Sequence, residues 1–217
     1  TAGPVMAGSK DLQIKVHGIG GHSARPQKAV DPILASAHLI TALQSIVSRK
    51  IDPLESGVYS ITQIHAGSTI NVIPDSVTMS GTPRYFTQEV EQEIETSTKR
   101  ICEGIAEAFD CQIEVNLGVN APPLVNNPAV CQAAQLAAEK INPDFVIEKN
   151  LKMMASEDMA LFLQRIPGAL FFVGAGPKDV EKRHALHHPC FDIDESGLIN
   201  AAALLVETCQ QLATSAE

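Results

Sequence analysis

The chain has no tryptophan, and its phenylalanines and tyrosines make up only 4% of the residues. Nucleobase stacking on aromatic side chains therefore has little to work with. A basic excess is missing too: 16 Lys and Arg stand against 25 Asp and Glu, a net charge of −9, where a phosphate backbone selects the opposite sign. No uninterrupted apolar run approaches the roughly 20 residues of a membrane helix. Neither nucleic acid nor membrane is expected as a partner. Thr1-Ala2-Gly3-Pro4 carries neither the basic region nor the apolar core of a secretory leader. The five cysteines (Cys102, Cys111, Cys131, Cys190 and Cys209) are odd in number and widely spaced, with no Cys-x-x-Cys pair. That spacing speaks against a disulfide framework and for reduced thiols in a cytoplasmic protein.

What is present is an ordinary globular composition, 45% hydrophobic and 19% charged over 217 residues, enough for one large core or two small ones. Leu12, Ile14 and Val16 alternate with Gln13 and Lys15, the period of a strand with one solvated face. Asp31-Pro32 offers a helix cap and a proline first turn, followed by Ile33, Ala37, Ile40, Leu43 and Val47 at helical spacing. Strands are expected from Val58 to Ile64 and from Val77 to about Tyr85. Thr87 can cap a second helix carrying Val90, Ile94, Ile101, Ile105 and Phe109, and a strand follows from Cys111 to Leu117. This order, βαββαβ, predicts an α+β class, a ferredoxin-like antiparallel sheet with both helices on one face. Ala121-Pro122-Pro123 breaks the pattern. Beyond it, helices from Pro128 and toward the C-terminus alternate with apolar runs at Phe145–Ile147 and Gly168–Val173 that read as strands. So few strands make an incomplete α/β segment. The expected organisation is 1–11 linker, 12–120 ferredoxin-like domain and 121–217 partial α/β domain.

Chemistry-bearing side chains sit at turns. His22, in Gly20-Gly21-His22-Ser23-Ala24-Arg25-Pro26, leaves the first strand on a glycine turn that permits close backbone approach; spacing alone also suits a surface histidine bonded locally. Asn71 lies in Gly67-Ser68-Thr69-Ile70-Asn71-Val72-Ile73-Pro74, where a turn asparagine is the plain alternative. Arg84, in Gly81-Thr82-Pro83-Arg84, is either a carboxylate-gripping guanidinium or a solvated strand arginine. Pro83 has no N–H to give a ladder, so its strand is expected at an edge or bulged there. Gly174, in Gly174-Ala175-Gly176-Pro177, offers backbone amides or a simple turn. His184, His187 and His188 cluster before Pro189, as ligands or as solvated loop residues.

The two glycine-rich strings, with Gly3-Pro4-Val5-Met6-Ala7 and the Asp11–Gly21 run, resemble the M20 family of metal-dependent amidases and carboxypeptidases, in particular its N-acyl-amino-acid branch of aminoacylase- and hippurate-hydrolase-like enzymes. The resemblance covers nearly the whole chain. It implies a ferredoxin-like lid and dimerisation domain followed by the C-terminal part of an α/β catalytic domain. It also implies two divalent metal ions (Zn, Mn, Ni or Co) and a small N-acyl amino acid or peptide as substrate, with a homodimer formed through the lid. His22 and Asn71 would stabilise the oxyanion from across the dimer, Arg84 and Gly174 would bind the substrate, and His187 of Leu186-His187-His188-Pro189 would ligate metal. The family's other ligands and its Glu general base belong to a front half not found in these residues, so the chain alone is expected to be inactive. The rival reading is a non-catalytic ferredoxin-like dimerisation or ligand-binding module.

Overall fold

The structure is a computed structural model and describes residues 1–214. The chain divides into two compact units, residues 6–124 with 152–161, and residues 1–5 with 125–151 and the chain from 162 onward. In chain order the strands and helices are β1 (Gly3–Met6), β2 (Gly8–His17), β3 (Gly21–His22), α1 (Pro32–Arg49), β4 (Gly57–Ala66), β5 (Val72–Ile73), β6 (Ser76–Tyr85), α2 (Gln88–Ala108), β7 (Gln112–Ala121), β8 (Leu124–Asn126), α3 (Pro128–Ile141), α4 (Met159–Leu163) and α5 (Ser196–Thr214). No helix among the described residues is long and apolar enough to cross a membrane.

In the 6–124 unit, a four-stranded sheet runs β4-β6-β2-β7 with antiparallel pairing throughout. Read with its two helices, this is the ferredoxin-like βαββαβ order expected from the sequence. The alternation in β2 has its expected consequence: Leu12, Ile14 and Val16 are buried while Asp11, Gln13 and Lys15 are exposed. The buried face meets Leu39, Leu43 and Ile46 of α1 and Val90, Ile94 and Cys102 of α2. Side chains so enclosed contribute about 1.5–3 kcal/mol each. Both helices start where their caps dictate. Asp31 Oδ1 accepts the Ile33 and Leu34 amides at 2.9 and 3.3 Å, and Thr87 Oγ1 accepts the Val90 amide at 3.4 Å.

Two local features of this sheet depart from the simple pattern. Pro83 does not lie on an edge strand, because β6 is interior, between β4 and β2. Its missing N–H is accommodated where the ladder is interrupted: β6 pairs with β2 at Arg84↔Ser9 and again at Gly81↔Leu12, with no pairing between. The opposing stretch of β2 is bulged at Ser9/Lys10 against β7. Lys10, in that bulge, is 1% exposed. Its Nζ lies 2.8 Å from Glu91 Oε1 and 2.6 Å from Glu95 Oε1 of α2. Burial acts to lower its pKa, but hydrogen bonds and charge from the two carboxylates outweigh it and hold the ammonium above its ordinary value. Tyr85 donates to the same Glu91 carboxylate at 3.0 Å, so the buried ammonium faces two carboxylates, one of them held by a further donor.

In the other unit, β1 pairs with β8 and α3 packs on α5. Asn127 Oδ1 caps α3 through the Ala129 and Val130 amides. The expected strands at Phe145–Ile147 and Gly168–Val173 do not form. A strand needs a continuous backbone ladder, and among the described residues the second run has a backbone bond only at its start, from the Asn127 amide to the Gly168 carbonyl at 2.8 Å, and then meets a side chain. Asn126 Oδ1 accepts the Leu170 amide at 2.8 Å, and its Nδ2 donates to the Leu170 carbonyl at 3.0 Å. Phe172 is consequently half exposed rather than covered on both faces.

Candidate functional site

The two glycine-rich motifs are joined by a small sheet that sequence periodicity did not reveal. β3 pairs antiparallel with β5 in the register Gly21↔Ile73 and His22↔Val72. The Ser23 amide then donates to the Asn71 carbonyl at 3.1 Å. Asp75 fastens the base of this strap: its Oδ1 accepts the Gly20 amide and its carbonyl the Gly18 amide, both at 2.9 Å. Glycine is required here for space. A Cβ on Gly20 would stand 2.6 Å from Asp75 Oδ1, and one on Gly18 would collide with the Val30 carbonyl.

Both candidate side chains on the strap are exposed, and their bonding fixes what they offer. His22 Nδ1 accepts the Ala24 amide at 3.1 Å. In the neutral ring the proton is thereby assigned to Nε2, leaving that atom as a hydrogen-bond donor. Asn71 Oδ1 accepts from Thr69 Oγ1 at 3.1 Å, which leaves the Nδ2 group as its free-facing donor. The strap thus presents two neutral donors on a pinned backbone, the type of arrangement that stabilises a developing oxyanion.

Arg84 lies elsewhere in the same unit. It is half-buried, and its Nη1 donates to the Met154 carbonyl at 2.7 Å. Arg84 is at the far end of β6 from Asp75, and nine strand residues at about 3.3 Å each put roughly 30 Å between those backbone positions. No single small acylated amino acid spans that length, so within one chain Arg84 and the His22–Asn71 strap do not grip the same molecule.

The remaining two candidates belong to the other unit. Gly174 is exposed and lines a cavity of about 730 Å³ together with Asn126, Cys131, Phe172 and Leu204. His187 is exposed, with a left-handed backbone at φ 71°. No converging group of three His, Cys, Asp or Glu side chains among the described residues includes it. The group that does converge is His184, His188 and Cys190, of which the sequence had flagged the histidines as neighbours but not the cysteine. The described residues therefore do not furnish a two-ion centre around His187.

Residues 6–110 match the peptidase dimerisation domain of the M20 family. The N-acetyl-L-cysteine deacetylase of Bacillus subtilis is 36% identical over 99% of this chain and 50% of its own length. The N-acetyldiaminopimelate deacetylase of Leuconostoc mesenteroides is 39% identical over 91% of this chain and 50% of its own. Among solved structures, one from methicillin-resistant Staphylococcus aureus, described as an aminohydrolase, superposes with a TM-score of 0.88 at 31% identity, covering 97% of this chain and 54% of that one. The Bacillus subtilis YxeP protein, described as a dinuclear metal binding peptidase from the M20 family, gives 0.75 at 29% identity, covering 96% and 51%. The chain spans about half the length of the relatives it matches. The fold and these likenesses agree: residues 6–110 of the chain are a peptidase dimerisation domain of the M20 family.

Proposed function

We propose that the protein to which this chain contributes is a cytoplasmic enzyme that hydrolyses the amide bond of N-acyl amino acids or small peptides, releasing an acid and an amino acid. The observation that carries the reading is the strap. It holds two hydrogen-bond donors, His22 Nε2–H and Asn71 Nδ2–H, of the kind that would stabilise a tetrahedral intermediate's oxygen as it gains negative charge. A donor of that kind is worth about 10²–10³ in rate. Arg84, released from the Met154 carbonyl, would take the substrate carboxylate in a bidentate grip, and the Gly174 backbone would support the substrate at the cavity. Two divalent ions (Zn, Mn, Ni or Co) would supply a water-derived nucleophile when bound. His187 is the ligand this chain would offer them, the others coming from outside residues 1–217. In this reading 1–11 is a linker, 12–120 the lid and 121–217 the C-terminal part of the catalytic domain.

The separation of about 30 Å along β6 gives the reading its quaternary form. A homodimer paired through the lid would let the strap of one protomer and the Arg84 of its partner serve one site. The test is made on the full-length protein that carries this chain, following amine release from a panel of N-acetyl amino acids with each metal. His22→Ala is expected to lower kcat about 10²–10³-fold with KM little changed, and Arg84→Ala to raise KM. The 217-residue chain alone is expected to release no amine. An unchanged kcat in His22→Ala would remove the oxyanion role. Among the described residues no ligand group converges on His187, which favours one rival, a non-catalytic dimerisation or ligand-binding module; no turnover by the full-length protein with any metal would favour that rival over the hydrolase.

A further inference from the structure

The segment between Gly176 and Asp194 carries a cluster that none of the proposed hydrolase roles uses. His184 and His188 stack face to face, with ring centroids 4.3 Å apart and planes within 8° of parallel. One ring nitrogen of each and the Cys190 sulfur lie within 4.8 Å of one another. The backbone that holds them is tied at several points. Arg183 Nε donates to the Pro177 carbonyl at 2.7 Å. The His188 amide donates to the Ala185 carbonyl at 3.0 Å, the Phe191 amide to the His188 carbonyl at 2.9 Å, and the Asp194 amide to the Ala175 carbonyl at 2.8 Å. His184 is half-buried, while His188 and Cys190 are exposed, so an ion could reach the group from solvent.

We propose that His184, His188 and Cys190 form a binding site for a single borderline-soft divalent ion, zinc foremost. Two imidazoles and a thiolate are a donor set that zinc prefers over magnesium or calcium, and three protein ligands leave the fourth tetrahedral position to water. Bond lengths of about 2.0–2.1 Å to nitrogen and 2.3 Å to sulfur put tetrahedral ligand atoms roughly 3.5 Å apart. Closing from the observed spacing requires the two stacked rings to turn out of parallel, so that an in-plane lone pair of each converges on one point. His188 Nδ1 accepts the Cys190 amide at 3.1 Å, so its lone pair already faces the Cys190 backbone, and the ion would displace that amide or select the other nitrogen. Loading exchanges the Cys190 thiol proton, released to solvent, for a sulfur–metal bond. His187 contributes no atom to this group, which sets the site apart from the ligand position that the family resemblance assigns.

The test uses the reduced 217-residue chain and cobalt(II) as a spectroscopic stand-in for zinc. One ion per chain is expected, with a thiolate-to-cobalt charge-transfer band in the near ultraviolet that zinc bleaches. Cys190→Ser should abolish the band. His184→Ala and His188→Ala should each weaken zinc binding by at least about 10–100-fold, the loss that even a supporting partner causes, while His187→Ala leaves it unchanged. A missing charge-transfer band, insensitivity to Cys190→Ser, or loss of binding in His187→Ala overturns the proposal. Circular dichroism of each variant separates loss of the site from loss of fold. The readout is independent of turnover, so failure here leaves the hydrolase reading untouched.

Discussion

At the scale of single residues, the cysteines show how one side chain takes different chemistry from its surroundings. Cys190 and Cys209 are exposed, whereas Cys102 is buried in the sheet–helix core at 2% exposure. Desolvation, with a smaller contribution from Glu103, raises the Cys102 pKa from 9.0 to about 11. Alkylation of the native protein near pH 8 is therefore expected at Cys190 and Cys209 first and at Cys102 last, as peptide mapping after timed iodoacetamide treatment would show. The same shift has a sign in stability. Burial favours the neutral thiol in the folded state, so between about pH 9 and pH 11 the unfolded chain ionises and the folded one does not. Stability present below pH 9 is lost across that window, by about 2–3 kcal/mol from this group. Urea midpoints should fall over that range in the parent and fall less in Cys102→Ala; identical slopes would show that the thiol carries no such linkage.

At the scale of elements, α2 is held to β2 by more than apolar contact. The buried Lys10 ammonium reaches two carboxylates one helical turn apart, Glu91 and Glu95, which share a helix face at i, i+4 spacing. Lys10→Ala deletes the buried partner of both. Removing one side of a buried pair costs about 3–5 kcal/mol, and the lower end applies because the carboxylates are 25% and 37% exposed. Chemical denaturation of Lys10→Ala should show a loss of about 3 kcal/mol; a loss within the range of an ordinary surface substitution would mean that water replaces the ammonium freely. The helices were legible beforehand because their caps are local. Asp31, Thr87 and Asn127 each bond amides two or three residues ahead, so a short window of sequence contains the whole interaction. The β3–β5 strap was not legible: each strand is two residues long, too short for any periodicity, and its partners lie about fifty residues apart.

At the scale of the whole molecule, the position of Arg84 at the far end of β6 from the strap calls for a second copy if both are to meet one small substrate. Sedimentation equilibrium of the 217-residue chain is expected to give a species of twice the chain mass that dissociates on dilution. A monomer at every concentration would withdraw the shared site, leaving His22 and Arg84 with separate tasks. The apolar run Gly168–Val173 reports on the same scale. Its composition suits a covered strand, yet its backbone bonds among the described residues run to the Asn126 side chain and the Asn127 amide rather than to a strand ladder.

By itself the sequence determined the βαββαβ order, the helix starts and the solvated face of β2, since each depends on neighbours three or four positions away or on strict alternation. It also determined the glycine positions that the motif resemblance rests on. Only the tertiary structure decided that Pro83 lies in an interior strand, that the His22 and Asn71 turns share one strap, and that Cys190 rather than His187 completes the convergent ligand group. Those outcomes depend on contacts between segments distant along the chain, which no local pattern encodes.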